Sequence, residues 1–148
     1  MPLINGLKKI GKLCFLIKNY LNFMKINYKI DKERELIIET WPEKVIVEDF
    51  EKVKLSEFSD TDFNSAYNVI TDLRKVKMEF DEELIKGIVS FMKLNSDKIK
   101  NRKSAIIALS PQLVAGSLFF GQKKQNLSVK VSVFSSMNAA YKWIKENW

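Results

Sequence analysis

Ala105-Ile106-Ile107-Ala108-Leu109, followed at once by Ser110-Pro111, decides the fold class. An apolar run without the alternation of a strand wetted on one side specifies a central strand covered on both faces. Ser110 and Pro111 then supply an N-cap residue and a proline suited to the first helical position. A buried strand running straight into a helix is the unit of an α/β protein with a parallel or mixed sheet, so the same unit is expected to either side.

Both sides supply it. Upstream, Tyr67 to Asp72 has strand propensity and leads through Leu73-Arg74-Lys75-Val76 towards an amphipathic helix from Asp81 to Lys93. That helix places Leu84, Ile85, Ile88, Val89 and Met92 on one face. Asp81, Glu82 and Glu83 crowd its first turn, where negative charge offsets the positive end of the helix dipole. Asn95 to Lys103 is polar and reads as a loop. Downstream, the helix opened by Ser110 runs through Leu113, Val114, Ser117, Leu118 and Phe120 towards Gly121. Ser128 to Phe134 alternates as a strand, and a closing helix from about Met137 carries Ala140, Tyr141, Ile144 and Trp148 on one side, with Ser135 and Ser136 as candidate caps.

Nearer the start, Lys25 to Ile30 and Glu35 to Trp41 flank the polar turn Asp31-Lys32-Glu33-Arg34 as an antiparallel hairpin. Pro42 ends the second strand, and Val47 to Phe58 has helical spacing. The expected architecture over residues 25–148 is one α/β domain, a mixed five-stranded sheet with an N-terminal β-hairpin and about four helices.

Residues 1–24 stand apart as a basic amphipathic extension. They hold Lys8, Lys9, Lys12 and Lys18 with no acid, and a helix drawn over 6–23 aligns Leu7, Ile10, Cys14, Ile17 and Leu21. The longest apolar run, Leu13 to Ile17, falls far short of the ~18 residues that span a bilayer. No small-residue cleavage site accompanies it, and Lys12 spoils an acylation site at Cys14. The segment therefore reads as a membrane-surface helix, a helix packed on the domain, or an appendage.

Composition removes whole classes of chemistry. The 148 residues include no histidine and a single cysteine, which excludes Ser-His and Cys-His nucleophile systems and an internal disulfide. A reducing cytosol is the expected compartment. The net charge of +7 invites a nucleic-acid partner, but acids and lysines interleave between Glu43 and Glu83 as on a solvated helical surface, and no nucleic-acid motif accompanies them. Neither a nucleic-acid partner nor a metal, cofactor or transmembrane segment is expected.

Three passages, Ile37-Ile38-Glu39-Thr40-Trp41, Tyr67 through Arg74, and Val133-Phe134-Ser135-Ser136 through Ala139-Ala140-Tyr141-Lys142-Trp143-Ile144, stand in an order and spacing that resembles the SpoIIAA-like or STAS-like family of small bacterial α/β proteins. The resemblance covers residues 25–148. It implies a non-catalytic cytoplasmic regulatory or protein-interaction module, whose partner is another protein, with a homodimer left open. In the better-known members a Ser or Thr at the start of the helix after the Asp-Leu strand end is phosphorylated by a partner kinase. The resemblance places that region at Phe80, Asp81 and Glu82, where carboxylates stand and no phosphate acceptor does. Partner contact is then expected at Asp72, Arg74, Lys75, Lys77, Asp81, Glu82 and Glu83.

Two other functions deserve weight beside it. STAS-like sheets resemble the lipid-exchange fold, and with 10 Phe, 3 Trp and 5 Met the chain has material for a lipid or small apolar ligand pocket, for which Phe91, Met92, Phe119 and Phe120 are the candidates. An enzyme would need Glu39, Asp72, Asp81 and Tyr67 to meet near one sheet edge, or an anion at the amides after Ser110; catalysis is not expected.

Overall fold

The computed structural model describes the backbone of residues 2–100, 102–124 and 127–146, and the side chains of all of these except 2–4 and 21–23. Among them α1 spans Pro2–Phe23, β1 Asn27–Asp31, β2 Leu36–Thr40, α2 Val47–Ser59, β3 Asn68–Asp72, α3 Glu82–Leu94, β4 Lys103–Ile107, α4 Pro111–Lys123, β5 Lys130–Phe134 and α5 Met137–Lys145. The class is as expected, α/β with a mixed five-stranded sheet. The described residues form five α-helices rather than about four, the N-terminal segment being a helix of its own, and a single 3-10 turn, Ser96–Lys98, precedes β4.

The strands lie side by side in chain order; β1 is antiparallel to β2, and β2 through β5 are parallel. A strand, helix, parallel strand crossover is almost always right-handed. When every new strand adds to the same edge, that handedness puts every crossover helix on the same face. Here α2 packs on α3 and α3 on α4, while α5 covers the opposite face against β4 and β5. Strand alternation separates two cores. Leu36, Ile70, Ala105 and Ile107 meet Ala140 of α5, and Trp41, Leu73, Ile106 and Val129 meet Phe50, Val53, Leu84, Ile88 and Leu113 of the three-helix layer. Ile70 and Ile107 are fully buried, and each such side chain contributes roughly 1.5–3 kcal/mol.

Local chemistry sets the element ends. Asp81 accepts from Leu84 N at 2.8 Å, Ser110 Oγ from Leu113 N at 3.2 Å and Ser136 Oγ from Ala139 N at 3.2 Å, so three helices start on side-chain caps. In the hairpin Asp31 Oδ1 accepts from Arg34 N at 3.1 Å, and Glu35 closes the turn at φ 52°, a left-handed conformation without glycine. Gly87 lets α3 approach the start of α2, since a β-carbon there would stand 2.6 Å from Val47 Cγ2.

Two readings shift. β4 occupies Lys103–Ile107 rather than 105–109, and Leu109 is 60% exposed. The supposed loop up to Lys103 ends in buried residues, because Lys103 is the first residue of β4 and its Nζ donates to the carbonyls of Trp143, at 2.8 Å, and Glu146 at the end of α5. α4 also continues past Gly121 to Lys123. Trp148 and the side chain of Leu21 lie outside the described residues.

Along α1, residues 5–20 are exposed throughout, Leu7, Phe15 and Tyr20 each by more than 60%. A chain beginning at Met24 is therefore expected to keep a single cooperative melting transition within a few degrees of the full-length protein. Aggregation or a broad, non-cooperative melt of that truncation would assign α1 to the core.

Candidate functional site

The polar centre of the molecule lies inside the three-helix layer. On β2 the side chains of Ile37, Glu39 and Trp41 share a face, so the strand that delivers two apolar groups to the interior also delivers a carboxylate. On α2 the buried positions are Phe50, Val53, Lys54 and Glu57, a helical stripe whose second half is charged. Arg102 directly precedes β4 on the side of Ser104 and Ile106. These four charged side chains are almost sealed, at 1% exposure for Glu39, 3% for Lys54, 0% for Glu57 and 2% for Arg102.

Lys54 Nζ donates to Glu39 Oε1 and, at 3.0 Å, to Glu57 Oε2; Trp41 Nε1 donates to Glu39 Oε2 at 3.0 Å. Burial alone would raise the Glu39 carboxyl. The Lys54 charge and the hydrogen bonds to it outweigh that and hold it below the usual carboxylate range. Glu57 goes the other way. Burial pushes it up to about 8, with Lys54 opposing and the neighbouring Glu39 charge adding. Lys54 serves both acids, and the two titrate as one coupled pair. Arg102 is held down by burial against the pull of Glu39 and Glu57, yet a guanidinium stays a cation. Its Nε and Nη1 have no hydrogen-bond partner among the described residues, nor has Glu57 Oε1.

Beside this cluster is a cavity of about 70 Å³. The sheet contributes Glu39, Trp41, Val69, Thr71, Leu73, Ser104 and Ile106 to its wall; α2 contributes Phe50 and Lys54, α3 Ile85, Ile88 and Met92, and α4 Ser117 and Phe120, with Phe80 and Arg102 completing it. Phe80 seats on α4 where a β-carbon on Gly116 would stand 2.9 Å from its own Cβ, and its ring lies 5.8 Å from that of Trp41. A broader groove of about 600 Å³ runs between β1 and α2, but Lys25 and Lys52 on its wall are exposed to water.

Of the expected apolar pocket, Met92 and Phe120 line the cavity. Phe91 packs instead on Phe50 and Phe58 at ring distances of 5.8 and 6.4 Å, and Phe119 lies under Lys123 Nζ at 5.1 Å. The expected partner surface is more dispersed. Asp72 accepts from Arg74 Nε at 2.9 Å and Nη2 at 2.7 Å; despite partial burial, those bonds hold its carboxyl below its ordinary value. Lys77 bridges to Glu43 at 2.7 Å, and Arg74, Lys75 and Lys77 with Pro42 and Glu43 line a depression of about 240 Å³ at the strand ends. Asp81 is occupied as a helix cap, Glu82 pairs with Lys86 at 2.9 Å, and Glu83 is exposed. The enzyme candidates have separate tasks: Glu39 is bound inside, Asp72 holds Arg74, Asp81 caps α3, and Tyr67 precedes β3 at the end away from Asp72.

Lys54, Glu57 and Arg102 were not legible as site residues, since charged residues on a helix or in a polar stretch read as solvated. One signal was present. Glu39 sits in alternation between Ile37 and Trp41, a carboxylate on the apolar side of a strand, and such a group needs a buried partner.

No helix among the described residues is long and apolar enough to cross a membrane, and no group of three or more His, Cys, Asp or Glu there is placed to hold a metal ion. The chain matches no protein-family model, and neither the curated proteins nor the solved structures compared with it give a match.

Proposed function

We propose that this chain is a non-catalytic STAS-like, SpoIIAA-like binding domain whose cavity beneath α2, α3 and α4 takes a small, largely apolar ligand. The cavity carries the reading: a mostly apolar wall drawn from the sheet and all three helices, with a few polar groups in it, is the lining of a small-molecule site, here at a volume below the usual range. The order of hairpin, helix and three strand-helix units, with successive strands added along one edge, agrees with the resemblance in the sequence. Strand order never reverses along the parallel part of the sheet, so the switch-point crevice that holds ligands in many α/β enzymes is missing among the described strands.

The test is methyl NMR during titration with butan-1-ol. Saturable shifts confined to Ile85, Ile88, Met92 and Ile106 are expected, and Ser117→Leu, which fills the cavity from α4, is expected to remove them while the domain stays folded. Shifts that are absent, or spread evenly over surface methyls, would reject the cavity as a site. The protein-interaction reading, favoured by the exposed basic residues Arg74, Lys75 and Lys77 around the strand-end depression, would then be the one that stands.

A further inference from the structure

We infer that the ligand of the cavity is a small monoanion, an apolar carboxylate whose head pairs with Arg102. This rests on the cavity being a binding site and adds what the site selects.

Arg102 lines the cavity, is 2% exposed, and leaves Nε and Nη1 without a partner among the described residues. A buried cation whose donors are unsatisfied is costly, and the cost is relieved by an anion brought to it. Neither acid of the cluster fills that role. Glu39 is taken by Lys54 and Trp41, and Glu57 meets Lys54 through Oε2 while neither of its oxygens bonds Arg102 Nε or Nη1. With burial pushing Glu57 towards its neutral form, the cations Lys54 and Arg102 outweigh the carboxylate Glu39 in the buried set. One negative charge completes it. A dianion such as a phosphate monoester would overshoot, and would bring more oxygens than the Arg102 side has donors to satisfy.

The remaining wall sets the other half of the ligand. Trp41, Phe80, Ile88, Met92 and Phe120 offer hydrocarbon and ring faces, so the group behind the charged head must be apolar. At about 70 Å³ the cavity is small, which limits the apolar group behind the head to a short chain. Water alone would leave the charge balance unmet and the apolar walls without contact.

The experiment compares butyrate with its neutral isostere butyramide and with butan-1-ol on the full chain, at ionic strength matched with sodium chloride, reading the methyls of Ile88 and Met92. Butyrate is expected to bind about tenfold or more tightly than butyramide, as a charge-assisted bond in a dry site requires. Arg102→Met is expected to erase that preference while butan-1-ol still binds, with the melting transition of the variant followed as the control for folding. Arg102→Gln, polar but uncharged, is run beside it and should lose the preference equally. If butyrate and butyramide bind alike, or the preference survives in either folded variant, Arg102 does not select the ligand, although the cavity remains a site. If butan-1-ol also fails to bind, the cavity reading falls with it.

Discussion

Lys54→Met is expected to remove about 3–5 kcal/mol of stability at pH 7. The amine is 3% exposed and serves two carboxyls at once. Its loss leaves Glu39 in a sealed space without its ammonium partner, answered by the Trp41 indole N–H, Glu57 and the more distant Arg102 charge. A domain of ordinary stability has roughly 5–15 kcal/mol in total, so the variant should be close to unfolding and should recover as pH is lowered and Glu39 takes up a proton. Urea denaturation at pH 7 and pH 5 measures both effects. Adding Glu39→Gln to Lys54→Met should restore most of the loss, because the two groups belong to one interaction. A loss below about 1 kcal/mol for Lys54→Met would mean that water reaches the cluster.

The second large effect is a dependence of stability on pH that a single residue dominates. The Glu57 carboxyl is held at about 8 in the folded chain, above its unfolded value near ~4.3. Across that window the folded state keeps a proton that the unfolded state releases. The contribution is therefore complete below about pH 4 and is lost as pH rises through 8. Asp72, whose folded value is depressed, works in the opposite sense, but only at the acid end of the range. With no histidine in the chain, the interval from pH 5 to 8 is otherwise quiet. The natural protein is expected to lose a few kcal/mol between pH 5 and pH 8, and Glu57→Gln to be nearly flat there and the more stable of the two at pH 8. Equal slopes for the two proteins would show that Glu57 is ionised in the fold at neutral pH.

Both expectations turn on residues that sequence patterns hide. Periodicity sorts side chains into wet and dry by type, so Lys54 and Glu57 on α2 and Arg102 before β4 passed as surface, and the loop reading of 95–103 followed from the same rule. The cavity set was split for a related reason. Met92 and Phe120 project from α3 and α4 towards the sheet, whereas Phe91 and Phe119, one residue away on each helix, turn by a hundred degrees or so to other neighbours. Composition and helical spacing rate adjacent aromatics alike, and only the direction of each helix over the sheet separates them.

By itself the sequence determined what is local. The hairpin around its polar turn, the buried apolar strand of β4 and the helix starts at Asp81, Ser110 and Ser136 all depend on residues within a turn or two of each other, whose conformational preferences act wherever the segment finds itself. The tertiary structure decided which groups share a space. It placed three helices on one face and α5 on the other, brought Lys54 of α2 to Glu39 of β2, and buried Arg102 in the wall of a cavity with Nε and Nη1 unpartnered among the described residues. The worth of a buried charge depends on what stands within a few ångströms of it in three dimensions. For Glu39, Lys54, Glu57 and Arg102 that neighbourhood exists only once the sheet has been built and the helices laid across it.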